Sequence, residues 1–283
     1  MEYSAKAEAK AKANDAGEET KPWIRRFGRF GYMAKGLVYF LIGVLALLAA
    51  LGLGGKMTGT SGMFETVAGK PFGEILLWVI GIGLIGYVLW ELIKAILDPE
   101  RKGKKTKGIL VRTGYAVSAV VYGAIAYKAI SIAMHASSGG GGSEKTISAK
   151  LLQQPFGQWI IGLVGAIIIG YGLYELYNGY TERFMNKFRV SEMNEHERKV
   201  ARKSGKSGLI ARGIVLAMIG YFFIQTAITA NPEQSKGIDG ALAELASKPY
   251  GGWMLGLAAA GLMLYGIYEM IRGRYEHMSF GGK

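Results

Sequence analysis

Long apolar runs separated by polar segments dominate this chain. A helix needs roughly 20 apolar residues to cross the hydrocarbon core of a bilayer. Six runs reach or approach that length, at 36–55, 75–90, 113–127, 151–174, 213–232 and 249–268. The second is short unless Glu91 is included, and the third is short unless Lys128 is included. Soluble protein cores rarely contain six such runs, so the pattern predicts six transmembrane helices.

The loops between these runs alternate in basic charge. Seven Lys or Arg residues lie in the first 30 positions, six in 98–113, eight in 179–207 and three from Arg272 onward, whereas the three intervening loops hold two each. Because basic loops favour the cytoplasmic side, both termini are expected in the cytoplasm. This topology accounts for most of the net charge of +13, so we do not expect nucleic-acid binding. Anionic lipid headgroups are the expected partners of these basic residues.

The remaining polar segments carry little sign of chemistry. The first 22 residues lack the apolar core of a signal peptide and are expected to form a solvated tail. Residues 137–143, with glycine at 139–142, are predicted to be a flexible outer loop, either natural or an engineered insert. The lack of cysteine excludes disulfides and thiolate metal sites, and the three histidines lie far apart, so no metal or cofactor is expected.

One phrase of four residues occurs three times, each time at the start of an apolar run. It is Lys-Pro-Phe-Gly at 70–73, Gln-Pro-Phe-Gly at 154–157 and Lys-Pro-Tyr-Gly at 248–251. A Tyr follows the first residue of each phrase by 17 positions and a Glu by 21; these are Tyr87 and Glu91, Tyr171 and Glu175, and Tyr265 and Glu269. The fixed spacing indicates a repeat architecture with three equivalent carboxylates.

Each repeat is predicted to be a hairpin of two membrane helices. Gly31, Gly114 and Gly208 in the first helices precede the prolines of the phrase by 40, 41 and 41 residues. The proline is expected at the first helical position, where its missing N–H is not needed. The stretches at 64–68, 147–152 and 241–246 are expected to form short interfacial helices, or alternatively re-entrant segments.

The predicted organisation has six parts. They are a solvated tail (1–24), repeat 1 (25–100), repeat 2 (101–182), a basic cytoplasmic connector (183–205), repeat 3 (206–275) and a second tail (276–283). The connector is expected to be solvated, with an amphipathic docking helix as the alternative.

The fold class expected is all-α, with three parallel helical hairpins related along the membrane normal. A pseudo-threefold bundle and a linear row both remain compatible with the sequence. Small residues four positions apart predict the faces on which the returning helices pack. These stripes are Gly162, Ala166 and Gly170 in repeat 2, and Gly252, Gly256 and Ala260 in repeat 3.

The stretches 31–39 and 83–90 and the three turns resemble a bacterial membrane family, the domain-of-unknown-function 1206 family. The resemblance covers about residues 25–275, and triplication of the motifs strengthens it. The third unit departs from the pattern, with Leu209 where the others have Tyr32 and Tyr115. The resemblance implies six spans in a bacterial inner membrane, and it implies no activity.

The three equivalent glutamates Glu91, Glu175 and Glu269 are the candidate functional site. Each lies about 18 residues after its turn glycine, roughly one turn inside the basic boundary at ~1.5 Å per residue. Ionisable groups inside a membrane are costly and are commonly functional. The tyrosines four positions earlier share a helix face with them. Three such pairs around an axis would form a cation or proton site.

Local ion pairing is the competing explanation for these glutamates. Basic residues stand three positions after two of them, or at similar depth on the partnering helices; they are Lys94, Arg272, Lys35 and Arg212. The second unit has Ser118 and Asn178 at those positions, so Glu175 is expected to lack a basic partner. That makes Glu175 the residue most suspected of function. Lys128 is expected to snorkel to the outer surface, with a pore-lining cation as the alternative.

Two classes of function follow. A transporter or channel for a small ion or solute predicts that the glutamates converge on a hydrated cavity. A non-catalytic accessory, scaffold or lipid-interacting protein predicts local pairing in a centre packed with glycine and alkyl side chains, and the glycine-rich helices slightly favour it. No serine–histidine, zinc-ligand or phosphate-loop arrangement is present, so we do not expect an enzyme. A protein partner or a second copy is an expected contact besides lipid.

Overall fold

The structure is a computed structural model that describes residues 2–55, 58–103, 105–135, 144–276 and 278. The predicted flexible loop 137–143 and most of the predicted tail 276–283 lie outside these residues. Within them the chain forms nine α-helices: α1 Glu2–Ala50, α2 Thr60–Ala68, α3 Gly73–Leu97, α4 Thr106–Ala133, α5 Glu144–Leu152, α6 Gly157–Tyr180, α7 Glu195–Thr229, α8 Ile238–Ala246 and α9 Gly251–Tyr275.

Six of these helices are long and apolar enough to cross a membrane: Pro22–Ala50 of α1, and α3, α4, α6, α7 and α9. They confirm the prediction of an all-α, six-span membrane protein built from three two-helix repeats. α1 continues through the predicted tail without a break. α7 begins inside the predicted connector, where Asn194 and Glu197 cap each other's backbone N–H groups.

The connector between α6 and α7 is attached to the bundle rather than solvated. Phe184 is fully buried and its ring meets that of Tyr268 edge-on, 5.3 Å between centroids. The backbone N–H of Arg189 donates to the carbonyl of Tyr275 at 2.9 Å, at the end of α9. The apolar residues of the connector therefore outweigh its charge in deciding where it lies.

The three repeated phrases form the same turn before each returning helix. The aromatic residue, not the proline, directly precedes the helix, with φ of 61° at Phe72, 63° at Phe156 and 62° at Tyr250. The prediction of proline at the first helical position is therefore wrong. This left-handed turn folds the chain back onto the short helices α2, α5 and α8, which confirm that the three predicted short helices form. A Cβ on the first glycine of each returning helix would collide with a carbonyl of the preceding segment.

Three equivalent interfaces join neighbouring repeats. In each, the returning helix of one repeat packs on the first helix of the next: α3 on α4, α6 on α7, and α9 on α1. A Cβ on Gly172 would lie 2.7 Å from the carbonyl oxygen of Gly213, and one on Gly266 would lie 2.6 Å from that of Gly36. These pairs occupy equivalent repeat positions. Glycine thus permits the same close backbone approach at two of the three interfaces.

Apart from Gly162, whose added Cβ would lie 3.4 Å from that of Ala227 on α7, the predicted packing stripes lie away from the closest helix contacts. A Cβ on Gly170 would have no neighbour within 4 Å, and one on Gly256 would reach only the Cβ of Ala50, at 3.9 Å. Ala166 and Ala260 are exposed. Spacing of four identifies a face rich in small residues, but several such faces exist on these helices and spacing alone does not select the one that meets a neighbour.

The two helices within a repeat pack together in repeats 1 and 3, but not in repeat 2. A Cβ on Gly31 would collide with the backbone of Tyr87, and one on Gly208 with that of Tyr265. A Cβ on the equivalent Gly114 would have no neighbour within 4 Å. Among the described residues α4 and α6 share no packed interface. The six spans therefore follow the cyclic order of a pseudo-threefold ring that is open between α4 and α6, which we call the open side.

Candidate functional site

All three repeat-equivalent glutamates are buried near the basic ends of their helices. Glu91 is 2% exposed, Glu175 3% and Glu269 1%. The returning helices place them at equivalent positions, and the packed first helices cover them. They are therefore enclosed by protein, and a charged carboxylate there needs a partner.

Two of the glutamates are paired by a basic residue from the next repeat. The Lys35 ammonium of α1 lies 3.1 Å from Glu269 of α9. The Arg212 guanidinium of α7 forms an ion pair with Glu175 of α6. Lys35 and Arg212 occupy the same repeat position, and both pairs cross the interface between neighbouring repeats. The glutamate of one repeat is therefore paired by the first helix of the next repeat, and repeat 1 follows repeat 3. We call this the cyclic rule.

Repeat 2 has Ser118 at the position of Lys35 and Arg212. By the cyclic rule, a basic residue there would pair with Glu91 of α3. Lys94 pairs with Glu91 instead. Its ammonium lies 2.5 Å from the Glu91 carboxylate, which is one turn earlier on the same helix. The expectation that Glu175 lacks a basic partner is thus wrong. It assumed pairing within a repeat, whereas the fold pairs across repeats.

Tyrosine hydroxyls extend these ion pairs into a network. Tyr265 donates to Glu269 at 2.6 Å, as the spacing of four predicts. Tyr32 donates to Glu91 at 3.4 Å and accepts from Lys94 at 3.1 Å and from Arg272 at 3.3 Å. Tyr32 therefore joins the carboxylate of repeat 1 to the basic end of repeat 3.

Each of the two basic residues in cyclic pairs also lies among three tyrosine rings. The ring centroids of Tyr87, Tyr122 and Tyr265 are 5.0, 5.2 and 5.6 Å from the Lys35 ammonium. Those of Tyr265, Tyr39 and Tyr171 are 4.7, 5.2 and 5.7 Å from the Arg212 guanidinium. The electron-rich ring faces stabilise the buried cations. The predicted tyrosines thus serve the cations as much as the carboxylates.

Four members of the network were not predicted from the sequence. Tyr39 accepts from Arg212 at 3.2 Å, and its hydroxyl is hydrogen-bonded to that of Tyr122, also at 3.2 Å. Tyr32 is described above, and Glu276 accepts from Arg272 at 2.6 Å. The repeated tyrosines at 32 and 115, and at 39 and 122, were the available signal. Glu276 carries no such signal.

Lys128 stays outside this arrangement. It is half-buried on α4, and no hydrogen bond or ion pair joins it to a described residue of the network. The structure thus brings Glu91, Glu175, Glu269, Lys35 and Arg212 into one buried centre but not Lys128. Snorkelling and pore lining both remain predictions for it.

The network is balanced in charge, with Lys35, Lys94, Arg212 and Arg272 facing Glu91, Glu175, Glu269 and Glu276. Among the described residues no group of three or more His, Asp or Glu side chains could hold a metal ion. An open apolar groove of about 590 Å³ lies between α1 and α3, lined by Trp23, Phe27 and Leu89 among others, and none of the three glutamates lines it. The arrangement can anchor helices to one another without an added ion.

Comparison with known proteins identifies relatives but no activity. The family model described as Domain of Unknown Function (DUF1206) matches the chain three times, at 30–98, 113–182 and 207–276. The chain is 46% identical over 263 residues to "Uncharacterized protein YxxB" of Bacillus subtilis (strain 168), covering 93% of this chain and 95% of that protein. No solved structure matches.

Proposed function

The chain belongs to the DUF1206 family, and from that premise we propose that it is a non-catalytic membrane scaffold or accessory subunit that contacts lipid and a protein partner or second copy. One observation carries the proposal: every repeat-equivalent glutamate is buried and already paired with a cation. A transport site must release its ion, whereas these carboxylates hold helices of successive repeats together. The centre is filled by tyrosine rings rather than by the expected alkyl side chains.

The test is reconstitution into liposomes, followed by measurement of proton and small-cation flux. A scaffold gives no flux above that of protein-free liposomes, and Glu175→Gln changes only the stability of the protein. Native mass spectrometry of the gently solubilised membrane complex should then show a stoichiometric protein partner or a second copy. Flux that disappears in Glu175→Gln at unchanged protein level overturns the proposal.

Transport is the second candidate, and the continuity of the network supports it. Hydrogen bonds connect Glu91 through Tyr32 and Arg272 to Glu269, and the Tyr265 ring joins this group to Arg212 and Glu175. Such a chain of hydroxyl and charged groups is the kind that relays protons in membranes. The flux measurement with Glu175→Gln decides between the two candidates.

We place both termini in the cytoplasm of a bacterial inner membrane, because the basic loops all lie at the end of the bundle that carries the termini. The chain has no cysteine, so a single introduced cysteine is a unique label. In intact cells an impermeant maleimide should label Lys145→Cys and spare Lys102→Cys. The reverse pattern would invert the topology.

A further inference from the structure

The open side is where a helix contact is missing, because the equivalent helices of repeats 1 and 3 pack together. Near the basic end Val117 of α4 is 57% exposed, whereas its equivalent Ala34 is 4% exposed. On α6, Tyr171 is 47% exposed, against 4% for Tyr87 and 1% for Tyr265. The side chains that would meet inside repeat 2 are therefore uncovered.

The sequence of repeat 2 explains why α4 and α6 stay apart. At three positions of the contact, repeats 1 and 3 both have Gly or Ala and repeat 2 has a branched aliphatic residue. They are Val111 for Gly28 and Gly205, Val117 for Ala34 and Ala211, and Ile167 for Gly83 and Gly261. Close backbone approach of two helices requires small residues at such positions. The opening is thus specified by the sequence of repeat 2.

What fills the opening must be apolar along most of its length. Its walls carry Leu110, Val117 and Ile167, at 73%, 57% and 61% exposure. The charges behind them are already balanced, since Arg212 is paired with Glu175 and Lys94 with Glu91. A charged group would therefore have to compete with an existing ion pair. Branched side chains also hold another helix at a distance, whereas a flexible hydrocarbon chain can fit between them.

The basic end of the opening is chemically different from its walls. On α6, Tyr174 and Tyr177 are 54% and 48% exposed, and the Arg183 guanidinium stands 5.0 Å from the Tyr177 ring. Lys107 is exposed in the first turn of α4. Tyrosine with arginine or lysine at the end of a span is typical of contact with lipid headgroups. Positive charge here complements a phosphate.

We propose that the open side binds one phospholipid, with an acyl chain between Val117 and Ile167 and its phosphate at Lys107 and Arg183. This inference deepens the lipid-contacting part of the proposed function and rests on it. The lipid takes the place of the helix contact that repeats 1 and 3 make within themselves. It would complete the ring while leaving the ion-paired centre intact.

The experiment is native mass spectrometry of the full chain, delipidated in detergent and titrated with phosphatidylglycerol. We expect one tightly held lipid per chain. Ile167→Trp fills the opening and should lower the lipid-bound fraction at least fivefold. Ile82→Trp is the matched control and should leave lipid binding unchanged. Ile82 is 43% exposed on α3 and is adjacent to Gly83, the repeat 1 equivalent of Ile167.

A second variant protects the test against misfolding. Val117→Ala with Ile167→Gly gives repeat 2 the residues of the other repeats at two of the three positions, and it should also lose lipid because α4 and α6 can then approach each other. Equal binding by all variants, equal loss in Ile167→Trp and Ile82→Trp, or a helix of a protein partner crosslinked at position 167 would overturn the inference. Glu175-dependent flux with retained lipid binding would overturn the scaffold function alone.

Discussion

At the scale of single residues, burial is what makes the three glutamates depend on their partners. A buried carboxylate stripped of its cation keeps its desolvation cost, which is why loss of one partner of a buried pair is usually severe. Exposed pairs behave differently. Glu182, outside the spans, accepts a hydrogen bond from Arg202 that holds the pKa of its carboxyl below its ordinary value, with Lys206 adding to the effect. Water solvates either partner there if the other is lost.

Arg212→Met should therefore destabilise the protein by about 3 kcal/mol, because Glu175 is left buried and unpaired. Unfolding in mixed micelles measures the change. Arg202→Met is the matched control at the exposed Glu182 pair and should change stability little. Equal effects of the two substitutions would show that the Arg212 pair does not stabilise the bundle.

The cyclic pairing rule predicts a rescue. Lys94→Met removes the cation from Glu91 and should destabilise the protein. Adding Ser118→Lys places a cation where Lys35 and Arg212 stand in the other repeats, so the double variant should recover much of the lost stability. Ser118→Lys alone, which adds a second buried cation beside the single carboxylate of Glu91, should destabilise. If the double variant is less stable than Lys94→Met, the rule does not extend to repeat 2.

At the scale of helices, the face that a glycine occupies decides its importance. Gly172 meets the backbone of α7, whereas Gly170, two positions earlier, has open space beside it. The same residue type is therefore structural at one position and replaceable at the other. Repeat equivalence shows this pattern for Gly266 as well, which approaches Gly36 on α1 in the same way.

Gly172→Ala should destabilise the protein by about 2 kcal/mol, since the added methyl group forces α6 away from α7. Gly170→Ala should be neutral or stabilising by about 0.5 kcal/mol, because alanine favours a helix interior. Thermal unfolding of the two variants is the comparison. A larger loss in Gly170→Ala would restore the predicted stripe of Gly162, Ala166 and Gly170 as the packing face.

At the scale of the whole molecule, three interfaces between repeats and two within repeats arrange six spans in an incomplete ring. The helices that border the open side have the least buried apolar windows of the six candidate spans, at 33% for α4 and 22% for α6. Pairing across repeats makes the ring cohesive even though repeat 2 is split. The second repeat is thus the most exposed of the three.

The open side predicts unequal tolerance at three equivalent glycines. Gly31→Ala and Gly208→Ala should each lower the folded yield several-fold, because their added methyl groups collide with the backbone at Tyr87 and Tyr265. Gly114→Ala should keep the wild-type yield. Size-exclusion profiles of the three variants provide the measurement. Equal losses would indicate that α4 and α6 pack together in the membrane.

The sequence by itself determined the number of spans, the three repeats, the short outer helices and the positions of the repeat-equivalent glutamates. These features depend on the length of apolar runs and on fixed spacing along the chain, which are local properties. The resemblance noted from the motifs at 31–39 and 83–90 also proved correct. The basic partners Lys35, Arg212, Lys94 and Arg272 were visible as candidates for the same reason.

Only the tertiary structure decided which cation serves which glutamate, because that depends on which helices are neighbours. Sequence order suggested partners inside a repeat, and the fold places Arg212 of repeat 3 on Glu175 of repeat 2. The open side could not be predicted either. Val117 and Ile167 are common residues in membrane helices, and their role is evident only because the small residues at the equivalent positions of repeats 1 and 3 lie in helix contacts. Neighbour relations between helices arise from packing of the whole bundle, and no local pattern encodes them.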